Sequence, residues 1–427
     1  MVTTITRPRF VSPRRVAAVL AVAVACGSLV ACSSTTGSSA AESGADASAA
    51  DGPSATATPE QLATTIRNAF LADVDPESLD PTVRETLEVA AVPPTPEQQD
   101  LLTTCLAQTS CDTGRGSLTV AFANDTTNAY RNIYRAEFTA QAIAYPAVKT
   151  IIYSNANNSV SAVNANLRSL IAQRVDAIVI NSNYAASIVP ALQQAQQAGI
   201  AVIEAGNPVP ENVSELVTSV FEPDLCGAWG DAGNQLADNV TDGHSYAIYT
   251  GIAGNPNAAV WQPCLDSALT GRGWTQAESG LTEWTPQGTA QAASALIASG
   301  RNPAAIAYDY SPEDFVKPYI DQRITPPWVL SGGAVNYAWL NTFEDAKAAN
   351  LNPQGYLVNS QVWYGRIGVT AALKSLAGQD VSSAVTVAQP VVTVDSVLPL
   401  NVEGTPANAP VGGLLSVEQM TTALAAG

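Results

Sequence analysis

The sequence contains few of the residue sets that catalysis requires. His244, in the segment TDGHSY, is the only histidine and is expected in a turn, so no Ser-His-Asp or Cys-His set can be assembled. There is no CxxC pair for a metal site and no Gly-rich phosphate loop. Glu204 and Asp309 could act as a carboxylate pair, but nothing in the sequence brings them together. We therefore expect a protein that is not an enzyme and that needs no cofactor or metal.

The first 31 residues have the pattern of a secretory signal. Four arginines and no acidic residue precede the apolar run VAAVLAVAVA, Val16 to Ala25. The apolar stretch ends by Ala31, short of the roughly 20 residues that cross a bilayer. LVAC, which ends at Cys32, resembles the lipobox of bacterial lipoproteins, in which the cysteine sulfur receives a diacylglycerol and the chain is cut before it. The alternative is an ordinary signal peptide with Cys32 as a bystander.

Residues 32–60 are predicted to form a flexible linker, because they contain no large apolar residue that could enter a core. Without the four signal arginines, the chain keeps 15 basic against 37 acidic residues, a net charge of about −22. Such a surface repels nucleic acid and anionic headgroups. Membrane attachment should therefore come from the lipid alone, and no nucleic acid is expected as a partner.

Four cysteines remain beyond the signal and Cys32, an even number in an exported protein, which predicts two disulfides. Four cysteines allow three pairings. We favour Cys105–Cys111, a local clip within CLAQTSC, and Cys226–Cys264, because Cys226 opens one predicted helix and Cys264 lies in the next.

Apolar strand runs alternate with helical segments from Ser117 onward. SLTVAFAND, DAIVIN, AVIEAG and AAIAYDY are examples of the strands. Runs of four to seven apolar residues between helices indicate parallel sheets that are covered on both faces. The chain is too long for one ordinary core, so two α/β units are expected, with a short helical extension over residues 61–114.

Three segments of this region resemble the sugar-binding type of type I periplasmic binding proteins, the ribose/galactose group of ABC-transporter substrate-binding proteins. LIAQRVDAIVINSNYAASIVPALQQAQQAGIAVI, Leu170 to Ile203, matches a helix, strand, helix and strand in the family order. YTGIAGNPNAA, Tyr249 to Ala259, matches the G-x-x-G turn of the second lobe. NSQVWYGRIGVTAALKSLAG, Asn359 to Gly378, matches a hinge segment and its helix. The resemblance covers about residues 117 to 400.

The resemblance implies two doubly wound, Rossmann-like lobes joined by a hinge of three chain crossings. The crossings would fall near residues 207–217, near Gln361 and near residues 390–394. The implied divisions of the chain are a signal peptide (1–31), the linker (32–60), the extension (61–114), lobe 1 (115–216 plus 361–389), lobe 2 (217–360 plus 390–402) and a C-terminal tail (403–427).

The same resemblance implies where a ligand would bind. A sugar ring offers an apolar face to aromatic side chains, and its hydroxyls need directional donors and acceptors. The implied contacts are Asn128, Tyr130, Arg131, Asn207, Trp261, Asp309, Tyr310, Gln361 and Trp363. Packing remains the alternative for Trp261 and Trp363, and a solvated helix charge for Arg131.

The sequence departs from the family at three positions of the charged hydroxyl clamp. Gly206 and Asn207 replace an Asp-Arg pair, NPNAAVWQ carries no arginine, and SGG at residues 331–333 lacks an aspartate. A less charged cleft suits a ligand with fewer hydroxyls, or a flatter one, than a pentose.

The expected function is capture of a small polar solute, a sugar or sugar-like compound, by a lipoprotein at the outer face of the cell membrane. The solute would be delivered to an ABC permease. The alternative is a sensor that presents its ligand to a membrane receptor.

The lipobox interpretation makes the first testable prediction. Cys32→Ala removes the thiol that would carry the lipid, so the protein should leave the membrane fraction while its signal still exports it. Fractionation followed by immunoblotting measures this. A variant that stays membrane-bound would show that Cys32 is not the anchor.

Overall fold

The computed structural model describes residues 55–358 and 361–427. The predicted signal peptide, Cys32 and most of the predicted linker lie outside the described residues. Within the two described ranges, no helix combines the length and the apolar character needed to cross a membrane.

Three helices and a short strand precede the main fold: α1 (Pro59–Phe70), α2 (Pro81–Ala90), α3 (Pro96–Leu106) and β1 (Ser110–Asp112). The sequence Thr-Pro-Glu-Gln occurs twice and starts both α1 and α3. In each case the threonine hydroxyl accepts from the glutamine N–H and the glutamine side chain accepts from the threonine N–H. These capping boxes, with proline in the first turn, fix where the helices begin.

The first half of the main fold alternates strands and helices. It contains β2 (Leu118–Asn124), α4 (Ala129–Ala144), β3 (Val148–Asn155), α5 (Val160–Gln173), β4 (Ala177–Ile180), α6 (Val189–Gln197), β5 (Ala201–Ala205), α7 (Glu211–Ser214) and β6 (Ser219–Pro223).

The second half continues the alternation with α8 (Leu225–Asn239), β7 (Ser245–Thr250), α9 (Pro256–Thr270), β8 (Thr275–Leu281), α10 (Pro286–Ser299), β9 (Ala305–Tyr310), α11 (Glu313–Asp321), β10 (Trp328–Ala334), α12 (Tyr337–Ala348) and β11 (Gly355–Val358). The chain ends with α13 (Tyr364–Leu376), β12 (Ala384–Val387), β13 (Val391–Thr393), α14 (Val394–Val397) and α15 (Val417–Ala425).

Two sheets form the centres of two lobes. The lobe 1 sheet has the order β1-β3-β2-β4-β5-β6-β12, and the lobe 2 sheet has the order β13-β11-β10-β9-β7-β8. Only the edge strands β1 and β13 pair antiparallel. The predicted α/β class with two parallel-dominated sheets is confirmed. The central strands β4 and β5 are buried on both faces, which explains why they are apolar throughout except for Glu204.

The first crossing between the lobes comes later than expected. We expected it near residues 207–217, but β6 pairs with β5 and β12 in the lobe 1 sheet, so the chain leaves lobe 1 only after Pro223. The predicted lobe 2 starts at residue 217 because the apolar run LVTSVFE, residues 216–222, begins a new series of strands in the sequence. The length and composition of this run suit the edge of either sheet, so sequence pattern alone could not place it. The chain returns to lobe 1 between β11 and α13 and leaves it again between β12 and β13.

The N-terminal helices form an extra layer on lobe 1. They pack on α4 and α13, which in turn cover the sheet. Beneath this layer Arg366 is paired with Glu137, and its Nη1 donates to Gln141 at 3.1 Å. Both charged side chains are almost fully buried, and a charge pair survives there only with further hydrogen bonds of this kind.

Both disulfides are present with the favoured pairing: Cys105–Cys111 clips α3 to β1, and Cys226–Cys264 joins α8 to α9.

The two disulfides should stabilise the fold unequally. Cys226 and Cys264 are 38 positions apart, against 6 for Cys105 and Cys111. Loop entropy predicts a loss of about 4 kcal/mol in unfolding free energy for the Cys226→Ser/Cys264→Ser double variant. The matched Cys105→Ser/Cys111→Ser variant should lose about 2 to 3 kcal/mol. Urea unfolding of both variants tests the order, and an equal or reversed loss would contradict it.

Candidate ligand-binding site

A cavity of about 500 Å³ lies between the lobes, and nearly all of its lining segments follow the carboxyl end of a strand. Open parallel sheets collect ligand-binding loops at this edge. Two other depressions, of about 550 and 730 Å³, are each lined by residues 239–354 alone, which belong to lobe 2. Among these three cavities of the described residues, the one between the lobes draws residues from both, so it is the candidate site.

The loop after β2 and the first turn of α4 form one wall. The Asn128 side chain accepts from the Arg131 N–H at 2.9 Å and so caps α4. Tyr130 is half-buried beside it and lines the cavity, and Arg131 is buried. The sequence placed these three residues in the site, and the structure brings them together there.

The charge of Arg131 is already paired within lobe 1. Its Nη2 lies 3.4 Å from the Asp125 carboxylate, and its Nη1 donates to the Asn181 amide oxygen. The Asn181 Nδ2 in turn donates to the Ala205 carbonyl at 2.7 Å. Arg131 therefore presents a neutralised, hydrogen-bonded surface to the cavity rather than a free cation.

Asn207 connects the two walls. Its amide contacts that of Asn181 at 2.8 Å within lobe 1, and that of Asn257 at 3.2 Å at the start of α9 in lobe 2. Asn207 is buried. Where the family places an arginine, this chain thus has an amide that bridges the mouth of the cleft.

Asp309, at the end of β9, organises the lobe 2 wall. Its carboxylate accepts from Thr250 Oγ1 at 2.5 Å and from Asn255 Nδ2 at 3.1 Å. It also accepts from the indole nitrogens of Trp261 at 3.3 Å and Trp284 at 3.0 Å. Burial raises the pKa of Asp309, while the Thr250 and indole donors act in the opposite direction. Asp309 thus lines the cavity and also holds both indoles through its hydrogen bonds.

The tryptophans give lobe 2 its aromatic surface. Trp261 is stacked on Trp229, with ring centroids 4.2 Å apart and an interplanar angle of 23°. Trp284 lies against Gly251, where a Cβ atom would come within 2.0 Å of the indole. Glu283 and Trp284 both have left-handed backbone, with φ of 56° and 50°, and such strain is typical of binding sites. Tyr310 completes this wall.

Two expected contact residues, Gln361 and Trp363, are not among the residues that line the cavity. Gln361 is fully buried; its side chain donates to the Ala388 carbonyl at 2.6 Å and accepts from Tyr364 Oη at 3.0 Å. It therefore joins the second crossing to the third. The Trp363 indole donates to the Ala69 carbonyl at 3.0 Å and packs edge-on against Phe70. Trp363 is a packing residue under the N-terminal layer, which the family pattern does not include.

Sequence reasoning missed much of the lining. Trp229 and Trp284 were not selected, and neither were most of the asparagines. Seven asparagines line the cavity: Asn128, Asn158, Asn181, Asn183, Asn207, Asn255 and Asn257. Trp284 lies in the short loop between the end of β8 and the helix cap Thr285, and that position could have identified it. An amide can both donate and accept, so this wall matches hydroxyl groups, which do the same.

The family model for the periplasmic binding protein domain matches residues 120–380, more than half of the chain. This chain belongs to that family, which is one of solute-binding proteins rather than enzymes.

Solved structures with the same fold come from several bacteria. An ABC-transporter solute-binding protein from Actinobacillus succinogenes, with bound D-allose, is 18% identical with a TM-score of 0.58, over 67% of this chain and 100% of that chain. One from Bacillus halodurans, with bound myo-inositol, is 16% identical with a TM-score of 0.58, over 67% and 98%. One from Mycobacterium smegmatis, with bound glycerol, is 20% identical with a TM-score of 0.56, over 68% and 99%. No curated protein matches the sequence significantly.

The Asp309 geometry makes a prediction that needs no ligand. Asp309→Asn keeps the shape but replaces one acceptor oxygen with an NH2 group, so at least one of the four donors loses its partner. We expect a changed near-UV circular dichroism spectrum, from altered tryptophan packing, and a loss of about 1–3 kcal/mol in unfolding free energy. Glu283→Gln is the matched control, because that exposed carboxylate also lines the cavity. Equal spectra for both variants would show that Asp309 does not hold the tryptophans.

Proposed function

We propose that this protein is an extracytoplasmic solute-binding lipoprotein that captures an uncharged, hydroxyl-bearing compound, a sugar or sugar-like molecule, and delivers it to an ABC permease. The observation that carries the proposal is a cavity with aromatic and amide walls whose Arg131 and Asp309 charges are already engaged inside the protein. A charged ligand would gain little from these two paired groups and would lose its own hydration, and the exposed Glu283 carboxylate at the cavity offers a cation only a weak, solvent-screened partner.

The two walls suit the two sides of a sugar ring. The ring's apolar face would stack on the indoles of Trp261 and Trp284 or on Tyr130. Its hydroxyls would bond the amides of Asn128 and Asn207, and Tyr310 would add a further hydroxyl contact. Arg131 is retained as a contact through its remaining N–H donors. Asp309 would act through the tryptophans.

Solved relatives support an uncharged ligand class. The three proteins named above hold D-allose, myo-inositol and glycerol, and each of these is a neutral polyhydroxy compound. Glycerol is an acyclic triol, whereas the other two compounds are larger and form rings, so the class of ligand transfers to this chain as a proposal and the individual compound does not.

Capture would couple binding to closure of the lobes. Lining residues come from both lobes, so a ligand that touches both walls stabilises the closed arrangement more than an open one. The contact between the Asn207 and Asn257 amides already bridges the mouth, and a bound ligand would add to it. The proposed lipid on Cys32 would keep the loaded protein beside its permease at the outer face of the cell membrane.

A thermal-shift screen tests the ligand class. D-Allose, myo-inositol, L-arabinose and glycerol are compared with D-glucuronate and D-glucosamine, which carry a negative and a positive charge. A ligand present at 100 times its Kd should add about 2.7 kcal/mol to the unfolding free energy. Stabilisation by a charged compound alone would contradict the proposal that the ligand is uncharged.

The neutral compound that stabilises the protein most is then used for calorimetry on two tryptophan variants. Trp284→Ala removes part of the aromatic wall. The lost stacking and apolar burial should cost about 1–3 kcal/mol of binding free energy, which raises the Kd roughly 5- to 150-fold. Trp328→Ala is the matched control, since Trp328 is a partly buried tryptophan of lobe 2 outside the cavity. Unchanged affinity in Trp284→Ala would place the ligand elsewhere.

A further inference from the structure

The chain passes between the lobes a fourth time, in its C-terminal tail. After β13 and α14 on lobe 2, residues 407–411 still bond to lobe 2, whereas residues 414–425 bond to lobe 1. The family match ends at residue 380, and the expected hinge had three crossings. The additional crossing lies in the C-terminal tail, beyond the residues that the family model matches.

Backbone hydrogen bonds hold the lobe 2 end of the tail. The Val411 N–H donates to the Val335 carbonyl at 2.8 Å. Two N–H groups at the start of α12 donate back: Tyr337 to the Ala409 carbonyl at 3.0 Å and Ala338 to the Ala407 carbonyl at 2.6 Å. Ala409 and Val411 are buried. Three backbone hydrogen bonds therefore attach this end of the tail to lobe 2.

A buried carboxylate holds the lobe 1 end. The Leu414 N–H donates to Glu137 Oε1 at 2.6 Å, and the other oxygen of Glu137 is paired with Arg366. From there α15 buries Met420 and Ala423 against α3 and α4. A hydrogen bond to a buried charge is among the stronger ones, so this end is attached as well.

Only Gly412 and Gly413 lie between the two attachments. Gly412 has a φ of 85°, which favours glycine. A Cβ on Gly413 would lie 3.3 Å from Val362 Cγ1 and 3.4 Å from Glu137 Oε1, so the tail passes close beside the second crossing. Fully extended, the chain from Val411 to Leu414 reaches about 11 Å. The lobes can rotate about this link but cannot separate there beyond that reach.

We propose that residues 407–415 are an interlobe strap that limits how far the binding cleft opens. The three other crossings join β6 to α8, β11 to α13 and β12 to β13, and the strap adds a short, doubly attached link beside the second of them. A continuous buried apolar cluster supports this arrangement, because it includes Val335 and Tyr337 of lobe 2, Val411 of the strap and Ile133 of lobe 1. Opening is then a limited rotation about a packed edge.

Spin-label distances across the mouth test the strap without any ligand. Labels are placed by Ala186→Cys on lobe 1 and Ala253→Cys on lobe 2, two exposed positions beside strand ends, in mature protein carrying Cys32→Ala. A protease site is inserted between Gly412 and Gly413, and double electron–electron resonance is recorded on the labelled protein without the insertion and on the cleaved protein. We expect cleavage to lengthen the mean distance and to broaden the distribution, while circular dichroism stays unchanged.

The control carries the same site in the Asp242–Gly243 turn, which lies within lobe 2 and joins no lobes. Cleavage there should leave the distances as they were. A second series inserts four and eight Gly-Ser residues between Gly412 and Gly413; eight residues add up to about 26 Å of reach. The distribution should broaden with length toward that of the cleaved chain. Unchanged distances after cleavage or lengthening would overturn the strap, whatever ligand the cavity binds.

Discussion

The buried pair between Glu137 and Arg366 is the interaction on which the arrangement of lobe 1 depends. Glu137 lies on α4, whose first turn presents Tyr130 and Arg131 to the cavity, and Arg366 lies on α13, directly after the second crossing. The same carboxylate accepts the Leu414 N–H from the tail. One buried charge therefore fixes the site helix, the hinge helix and the C-terminal segment relative to each other. Burying it costs hydration, which the surrounding hydrogen bonds offset.

Neutralisation within the protein is the second constraint, and it decides what the cavity can recognise. Arg131 and Asp309 face the cavity from opposite lobes, yet each is engaged by neighbours of its own lobe. Besides the exposed carboxylate of Glu283, the groups left for a ligand are amides, hydroxyls and aromatic faces. In this cavity Arg131 and Asp309 chiefly hold other side chains in place.

The α/β class and the alternation of strands and helices could be predicted from local sequence pattern. Buried parallel strands require continuous apolar runs, and in this chain the runs are short and regularly spaced. The loop residues Asn128, Tyr130 and Arg131 could be placed because the resemblance to the family implies ligand contacts in the loop after the first strand of the main fold. The first crossing could not be placed, because the sheet that β6 joins is decided by its partners β5 and β12, and β12 lies far along the chain.

Long-range packing also explains the errors in the site. Trp363 and Gln361 occupy the family's hinge positions. The added N-terminal layer covers Trp363, however, and the Gln361 side chain donates a hydrogen bond to the segment of the third crossing. Trp284 escaped notice because its role depends on Gly251 and Asp309, which belong to two other strands. Such relations between distant segments leave no periodicity in the sequence.

The interleaving of the two lobes along the chain sets an order of folding. Most of lobe 2 is one continuous stretch, from α8 to β11, and β13, α14 and residues 407–411 are added later. Lobe 1 begins earlier but needs α13, β12 and finally α15 to cover its core. A chain that emerges from its N-terminus onward can therefore assemble most of lobe 2 first, while lobe 1 waits for its last helices. Contacts that close long loops form slowly, so we expect lobe 1 to be completed last, once α15 is available to cover its core.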